Sequence, residues 1–395
     1  MNCPCCSHKK FLTLKIKFPT FEHCNLNKIS DNLILLECQH CNLIYNPKIK
    51  NIADTQKKIF LTGKDYNFSL KKNRISISRN YDYANTIFKL INNSISRLKK
   101  FYLLDIGALD GDLLKQLRIN YKSDRKNKNK LKFIGYNYSK KKSFITNNNL
   151  IINSLKLEDC FKNIKKYNVV ISINSLQYIK NLNKFLLIIK NSLIDSNSFA
   201  FFVVPNSLEN ISYNFHGDEY YKFNKRNITK LFLRNGLKVN FLKNSSNPGH
   251  LMFYVNKLDN PKTFLKFINN SSELMVIKNK INNFLNKVSK ISYKFQNNVL
   301  EIFGYRINAV IFYYALLKYN FNYKNIFFIT DDNIKSKKSL NNNIFLSKLI
   351  IFKQRSRLNC NNNKKKIILC YGYKKNNIFK DILKKNHDTK NFITL

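Results

Sequence analysis

The sequence predicts an α/β chain built on a mostly parallel sheet, and three observations predict it. Leu103-Leu104-Asp105-Ile106-Gly107-Ala108-Leu109-Asp110-Gly111-Asp112-Leu113-Leu114 is an apolar run ending in an acid, a turn with two glycines, and a helix start. Asn168-Val169-Val170-Ile171-Ser172-Ile173-Asn174 is a β-branched buried strand that runs through Ser175-Leu176-Gln177-Tyr178 into a helix ending near Leu193. Between and beyond them, strand-like and helix-like patterns alternate, as a parallel sheet covered by helices requires. Ligands of such sheets lie outside the carboxyl ends of the strands.

The first stretch has the physical logic of a nucleotide-binding loop. Gly107 permits a sharp turn and Gly111 a close approach of a ligand or helix to the main chain. Asp105 orients the loop or accepts from a cationic ligand, and the helix from about Asp112 offers free N–H groups. The chain has only 9 Gly in 395 residues, so two placed four apart after an apolar run answer a requirement. A plain strand-to-helix turn is the ordinary alternative. The spacing lacks the G-x-G-x-x-G of dinucleotide enzymes. It resembles the first motif of class I S-adenosylmethionine-dependent methyltransferases, and that resemblance implies a Rossmann-like sheet with S-adenosylmethionine at Asp105, Gly107, Asp110 and Gly111.

Taken in order, the chain opens with Cys3-Pro-Cys5-Cys6 and returns to cysteine at Cys38-Gln-His-Cys41. Two C-x-x-C knuckles supply four thiolates, the set a structural Zn²⁺ takes. Cys3, Cys6, Cys38 and Cys41 are the favoured ligands, with Cys5, His8 and Cys24 as competing donors and free cysteines in a small core as the alternative. The gap between the knuckles calls for a folded filler, such as a hairpin through Leu33 to Leu36. Four thiolates leave no open position for catalysis. An amphipathic helix is expected around Tyr81 to Leu98. Lys132-Phe133-Ile134-Gly135-Tyr136-Asn137 reads as the second strand, and in the resembled enzymes an acid usually ends that strand and holds the ribose; here the position is Asn137. Tyr121 to Lys130 is a basic, solvated loop, and Glu158-Asp159 lies either near the adenine or on a surface turn. Ser198 to Val204 is a fifth strand closed by Pro205-Asn206. Phe223 to Phe232, followed by Leu233-Arg234-Asn235-Gly236, reads as a helix ending at a glycine cap, and a strand resumes at Leu237.

Composition bounds the rest. A chain this long points to two or three domains. Lys+Arg 70 against Asp+Glu 23 gives a formal charge of +47, ordinarily a sign of nucleic acid or an anionic membrane as partner. The lysines, however, are dispersed among Asn, Ile, Phe and Tyr from end to end, the residues that an AT-rich coding sequence favours. A compositional origin therefore accounts for the larger part of the charge, and nucleic acid is an unlikely partner. No signal peptide is read at the N-terminus. Apolar runs such as Ala309 to Leu317 fall short of the roughly 18 residues of a membrane span, so a cytoplasmic protein is expected.

With these elements in place, nearly the whole chain resembles the bacterial sugar C-methyltransferases. That family carries a four-cysteine zinc module, a central methyltransferase domain and a C-terminal Rossmann-like domain. The resemblance rests on the paired C-x-x-C, the D-x-G-x-x-x-G turn, Tyr66-Asn67-Phe68-Ser69, and a C-terminal strand and glycine turn at Val299 to Asn308. Ile326 to Asn333 with Lys335, and a strand at Lys366 to Tyr371, complete it. It implies domains at 1–75, 76–258 and 259–395, and cofactor contacts at Asn137 and Asn174. It also implies a nucleotide-linked deoxysugar or surface-glycan sugar as acceptor. The family's catalytic segment aligns with Phe215-His216-Gly217-Asp218-Glu219-Tyr220-Tyr221-Lys222-Phe223 in two registers, either of which puts an acid where a histidine base stands. His216, Asp218, Glu219 and Tyr221 are the candidate catalytic residues. A carbon acceptor beside a ketone needs such a base; an oxygen acceptor needs less. Sugar O-methylation is one rival reading. A catalytically degenerate scaffold is another, given Asn137, Tyr178 where the resembled family has a second histidine, and the lost histidine base; a nucleic-acid-binding zinc protein is a third.

Overall fold

The computed structural model describes residues 2–23, 26–47, 49, 69–72, 75–95, 100–108, 111–123, 130–137, 144–147, 150–154, 166–244, 249–258, 272–303, 307–322, 326–330, 351–354, 365–369 and 392–394. The chain divides into two compact units. One comprises Met1–Leu12, Leu36–Asn206 and Glu219–Ser272; the other comprises Thr13–Leu35, Ser207–Asp218 and Glu273–Leu395.

The first unit is built on an eight-stranded sheet of β1 (Lys100–Ile106), β2 (Lys130–Asn137), β3 (Phe144–Asn147), β4 (Leu150–Ser154), β5 (Val169–Ile173), β6 (Phe199–Pro205), β7 (Leu237–Leu242) and β8 (His250–Lys257). Their order across the sheet is β3-β4-β2-β1-β5-β6-β8-β7. Strands β4, β2, β1, β5 and β6 run parallel, while β8 runs antiparallel between β6 and β7. The chain starts in the middle at β1, moves outward through β2 and β4, then crosses back to β5. The boundary between β1 and β5 is thus a topological switch point, where open α/β sheets bind ligands.

Period-two alternation places the core on both faces. Leu103, Phe133, Val169, Ile171, Phe201 and Val203 face one cluster, shared with Tyr83, Ile87 and Ile91 of α1 (Arg79–Ile95) and Leu113, Leu117 and Tyr121 of α2 (Asp112–Ser123). Leu104, Ile134, Val170, Phe202 and Val204 face the other, with Leu182, Phe185 and Ile189 of α3 (Leu182–Ser192) and Ile228, Leu231 and Phe232 of α4 (Lys225–Arg234). A sheet covered on both faces has near-continuous apolar strands, and all seven residues of β6 are buried.

Asparagines start the helices. Asn181 accepts from the Lys184 N–H at 3.0 Å to cap α3. Asn224 and Asn227 form a reciprocal box at α4: the Asn227 N–H donates to the Asn224 side chain at 2.9 Å, and the Asn224 N–H to the Asn227 side chain at 3.0 Å. Gly236 ends α4 at φ +72°, as the sequence predicts, and β7 follows at once.

In the second unit, the described strands β9 (Val299–Phe303), β10 (Ile326–Thr330), β11 (Ile351–Gln354), β12 (Lys365–Leu369) and β13 (Phe392–Thr394) form a parallel sheet ordered β11-β10-β9-β12-β13. Helix α5 (Glu273–Lys294) buries Leu274, Ile277, Ile281, Leu285 and Val288 along one stripe, as helical periodicity requires. Helix α6 (Ile307–Lys318) is apolar nearly all round and correspondingly buried. The glycine turn at 304–306 and the 331–335 segment lie outside the described residues, as do Tyr66 to Phe68 and Leu155 to Asp159. No helix among the described residues is long and apolar enough to cross a membrane.

Candidate active site and cysteine cluster

Strand β1 delivers Asp105 and Gly107 to the switch point. Gly107 has φ +87°, a conformation that a side chain strains, and a Cβ there would meet the Ser175 Oγ at 2.4 Å. That hydroxyl donates to the Ile173 carbonyl at 3.1 Å and reaches the Ile106 carbonyl at 3.4 Å. The loops after β1 and β5 therefore touch through a glycine. The Gly111 N–H, at φ +76°, donates to the Ala108 carbonyl at 2.8 Å, and its own carbonyl accepts from Lys115 at 2.9 Å, starting α2. Asp110, a predicted cofactor residue, lies outside the described residues. Asp105 is 3% exposed, and burial pushes its carboxyl up to about 7.

At the end of β5, Asn174 takes the left-handed conformation at φ +51°, its N–H donating to the Val203 carbonyl at 2.8 Å. Its side-chain Oδ1 is buried and finds no hydrogen-bond partner among the described residues; the same holds for the Gln177 Oε1 and the Ser172 Oγ. Buried acceptors are nearly always paired, so three orphans at one strand end indicate a missing donor, from a ligand or water. Gln177 escapes a reading of the sequence because it sits in the apolar run Leu176-Gln177-Tyr178; its one signal is polarity directly after a buried strand. Asn137 closes β2, in register with Ser154 of β4.

The predicted catalytic segment is divided at Asp218/Glu219 by the boundary between the units. In the second unit, His216 is buried and its Nδ1 lies 2.6 Å from the Nδ1 of His23. The His23 N–H donates to the Asp218 Oδ2 at 2.9 Å. The structure thus joins His216 and Asp218 through a residue that the sequence did not single out. In the first unit, Glu219 pairs with Lys222 at 2.9 Å with both side chains 1% exposed. Removing one member of so buried a pair strands the other charge. The Tyr221 hydroxyl donates to the Lys180 carbonyl at 2.7 Å, and burial pushes its phenol up. The Tyr220 N–H donates to the Gln177 carbonyl at 2.9 Å, tying this segment to the loop after β5.

The four predicted cysteines come together. Cys3 and Cys41 have their sulfurs 3.6 Å apart, Cys6 and Cys38 3.4 Å, and all four lie within 4.8 Å of one another. A disulfide needs about 2.0 Å; four thiolates at about 2.3 Å from a tetrahedral zinc sit about 3.8 Å apart. The two knuckles repeat one turn. The Ser7 N–H donates to the Cys3 carbonyl and the Asn42 N–H to the Cys38 carbonyl, each at 2.9 Å. The Cys3 N–H in turn donates to the His8 carbonyl at 2.9 Å, and the Cys38 N–H to the Leu43 carbonyl at 3.0 Å. Ser7 and Asn42 are both left-handed, at φ +58° and +57°. Cys5 lies outside the four-sulfur cluster but touches it: its sulfur donates to the Asn183 Oδ1 at 3.6 Å and hydrogen-bonds with Cys41, and its N–H donates to the Cys3 sulfur at 3.4 Å; Cys24 lies outside the described residues. Hydrogen bonding among the thiols holds Cys38 well below the usual range and pushes Cys3 up to about 12, the bond between those two being the main cause.

No protein-family model matches the chain, and no curated protein does. Among solved structures it is similar to the [4+2]-cyclase SpnF (TM-score 0.40, 9% identity, 54% of this chain and 98% of that one). It is also similar to the plantazolicin methyltransferase BpumL in complex with SAH and a triazolic desmethylPZN analog (0.39, 13%, 54% and 99%). A third is an S-adenosylmethionine-dependent methyltransferase from Mesorhizobium loti (0.35, 9%, 45% and 100%). Likeness at this level leaves the reaction to the residues themselves.

The raised Asp105 carboxyl has a signed consequence. Between the unfolded value near 3.8 and the folded value of about 7, the native state binds the extra proton, so this residue makes stability fall as pH rises through that window. The Tm of the wild type minus that of Asp105→Asn should decline from pH 4 to pH 7 and level off above it; a flat difference would contradict the assignment. For the cysteines, the purified chain should hold one zinc, and Cys38→Ser or a strong chelator should release it and lower the Tm by several degrees. A Tm unmoved by chelation would exclude a structural metal.

Proposed function

We propose that the chain is a class I S-adenosylmethionine-dependent methyltransferase acting on a carbon of a nucleotide-linked deoxysugar or surface-glycan sugar. Its divisions would be a zinc-stabilised lead-in at 1–75, a methyltransferase domain at 76–258 and a Rossmann-like domain at 259–395. The loops at the switch point carry the reading. Gly107 leaves room where a Cβ would clash, and the orphaned acceptors of Asn174 and Gln177 sit at the adjoining strand end. The sheet supports it: counted along the chain without the β3 edge strand, its order is 3-2-1-4-5-7-6 with the seventh antiparallel, the arrangement of class I methyltransferases.

The residues present fit the cofactor. A sulfonium and an ammonium are cationic groups that carboxylate and amide oxygens satisfy, and Asp105, Asn174 and Gln177 offer those oxygens. When bound, S-adenosylmethionine supplies an electrophilic methyl group. Asp105, Gly107, Asp110, Gly111, Asn137 and Asn174 would hold it, and a low-dielectric cleft would keep water from the reacting atoms. His216, with Asp218 and Glu219 in the same segment, would take the proton from the acceptor carbon beside a carbonyl. The carbon so deprotonated would take the methyl group that the bound cofactor supplies, and the base would keep the proton until it passes to solvent. Tyr221, with its hydroxyl committed to the Lys180 carbonyl, shapes the segment and takes no part in proton transfer. Cys3, Cys6, Cys38 and Cys41 would bind structural Zn²⁺.

The test is incubation of the full chain with S-adenosylmethionine and a panel of nucleotide-linked ketodeoxysugars, reading products by mass and NMR. A sugar gaining one methyl on carbon is expected. His216→Asn should cut the rate about 10²- to 10⁴-fold, the range of a general base, with cofactor affinity unchanged. Methyl transfer to oxygen alone would overturn the carbon assignment, and a His216→Asn enzyme as fast as the wild type would remove that residue from the chemistry.

A further inference from the structure

Segments Thr20–His23 and Phe215–Asp218 are pressed together within the second unit. The Gly217 N–H donates to the Phe21 carbonyl at 2.9 Å, and Phe21 and His216 form a parallel bridge. A Cβ on Gly217 would lie 2.7 Å from the Thr20 Oγ1 and 3.0 Å from its Cβ, so the approach requires glycine. This contact sets His23 against His216 with ring centroids 4.4 Å apart at 71° and the two Nδ1 atoms at 2.6 Å. His216 is 2% exposed and His23 half-buried.

We propose that His23 and His216 form one proton-holding unit, in which His23 is a positioning residue that fixes the ring and the protonation of His216. The chemistry follows from the facing nitrogens. In the neutral pair, one Nδ1 carries the hydrogen and the other accepts it, so the two rings hold opposite tautomers. One added proton makes the donor an imidazolium and strengthens the bond by charge assistance. A second added proton sets two N–H groups head to head at 2.6 Å and breaks the contact. The pair therefore takes up its first proton readily and resists its second, and the two rings titrate as one coupled system. Half-buried His23 gives the buried ring a route for its proton to solvent.

Other titratable groups bear on the pair. Asp218 accepts from the His23 N–H, Glu22 precedes His23, and Glu219 follows Asp218 in the chain. The Tyr213 ring stands 5.9 Å from that of His216, Tyr314 of α6 packs on Phe21 at 5.1 Å, and Lys280 of α5 donates to the Leu208 carbonyl of the same loop. The Asp218 carboxylate favours the singly protonated pair.

The inference rests on His216 being the acceptor-side base, yet the proton-holding unit is testable without catalysis. Side-chain ¹⁵N NMR of the full, zinc-loaded chain should show one proton taken up by the pair in the histidine range, and the second at least about one pH unit lower. In His23→Asn, whose amide still hydrogen-bonds but does not titrate, His216 should titrate as a single group. In the same variant the acid limb of the kcat profile should move while the KM for S-adenosylmethionine stays within twofold. Should a variant fail to fold, the wild-type titration decides alone. Two independent single-site titrations, an unmoved pH profile in His23→Asn, or zinc beyond the cysteine-bound ion shifting both rings would overturn the proposal. Shared titration in a chain that transfers no methyl would uphold the pair and count against the methyltransferase reading alone.

Discussion

The contact between Gly107 and Ser175 is the constraint on which the first unit depends. A parallel sheet that starts in its middle must splay the loops after its first and fourth parallel strands, and that gap is where a ligand enters. Here the gap is narrowed until a Cβ would fall 2.4 Å from a hydroxyl oxygen, so the residue at 107 can only be glycine. Beside this contact Asn174 takes the left-handed region, and its amide oxygen, with that of Gln177, is unanswered by the described residues. Strain and unsatisfied polarity concentrated at one strand end are what a binding site retains and a purely structural turn sheds.

The cysteine knuckles share one of the sheet's two cores. They are packed on the face formed by α3 and α4, with Cys3, Cys5, Cys38 and Cys41 continuous with the core that includes Phe185, Phe202 and Phe232. Polar contacts extend the attachment: Arg234 lies 2.9 Å from the His40 ring nitrogen, Lys230 reaches Asn42, and Asn183 bonds to both the Cys5 carbonyl and Asn235. A tetrathiolate centre in this position would hold the helix face that supports β5 and β6. Its repeated turns, each with a left-handed residue after the second cysteine, are local devices that a metal would tighten.

Much of this was legible in the sequence because it is local. Apolar and β-branched runs placed β1, β5 and β6, scarcity of glycine marked Gly107 and Gly111, a helix end marked Gly236, and spacing paired the cysteines that come together. What was not legible depends on distance along the chain. His23 meets His216 across 193 residues, and no propensity announces that pairing. Nor does the sequence show why 217 is glycine, which is plain only once Thr20 is seen against it. The Asn224/Asn227 box escapes a search for Ser or Thr with Glu, though its physics is the same. The unit boundary within 215–224 was also hidden, because a chain that leaves a unit and returns keeps an unbroken sequence pattern.

Ligand binding at the ends of β1 and β5 is what the Gly107 contact requires. The measurement that tests it most directly is calorimetric titration of the full chain with S-adenosylmethionine, wild type beside Gly107→Val. Saturable one-to-one binding by the wild type, lost in a variant that still folds, is expected. A folded, zinc-loaded wild type that takes up no cofactor, or a valine variant that binds it equally well, would contradict it.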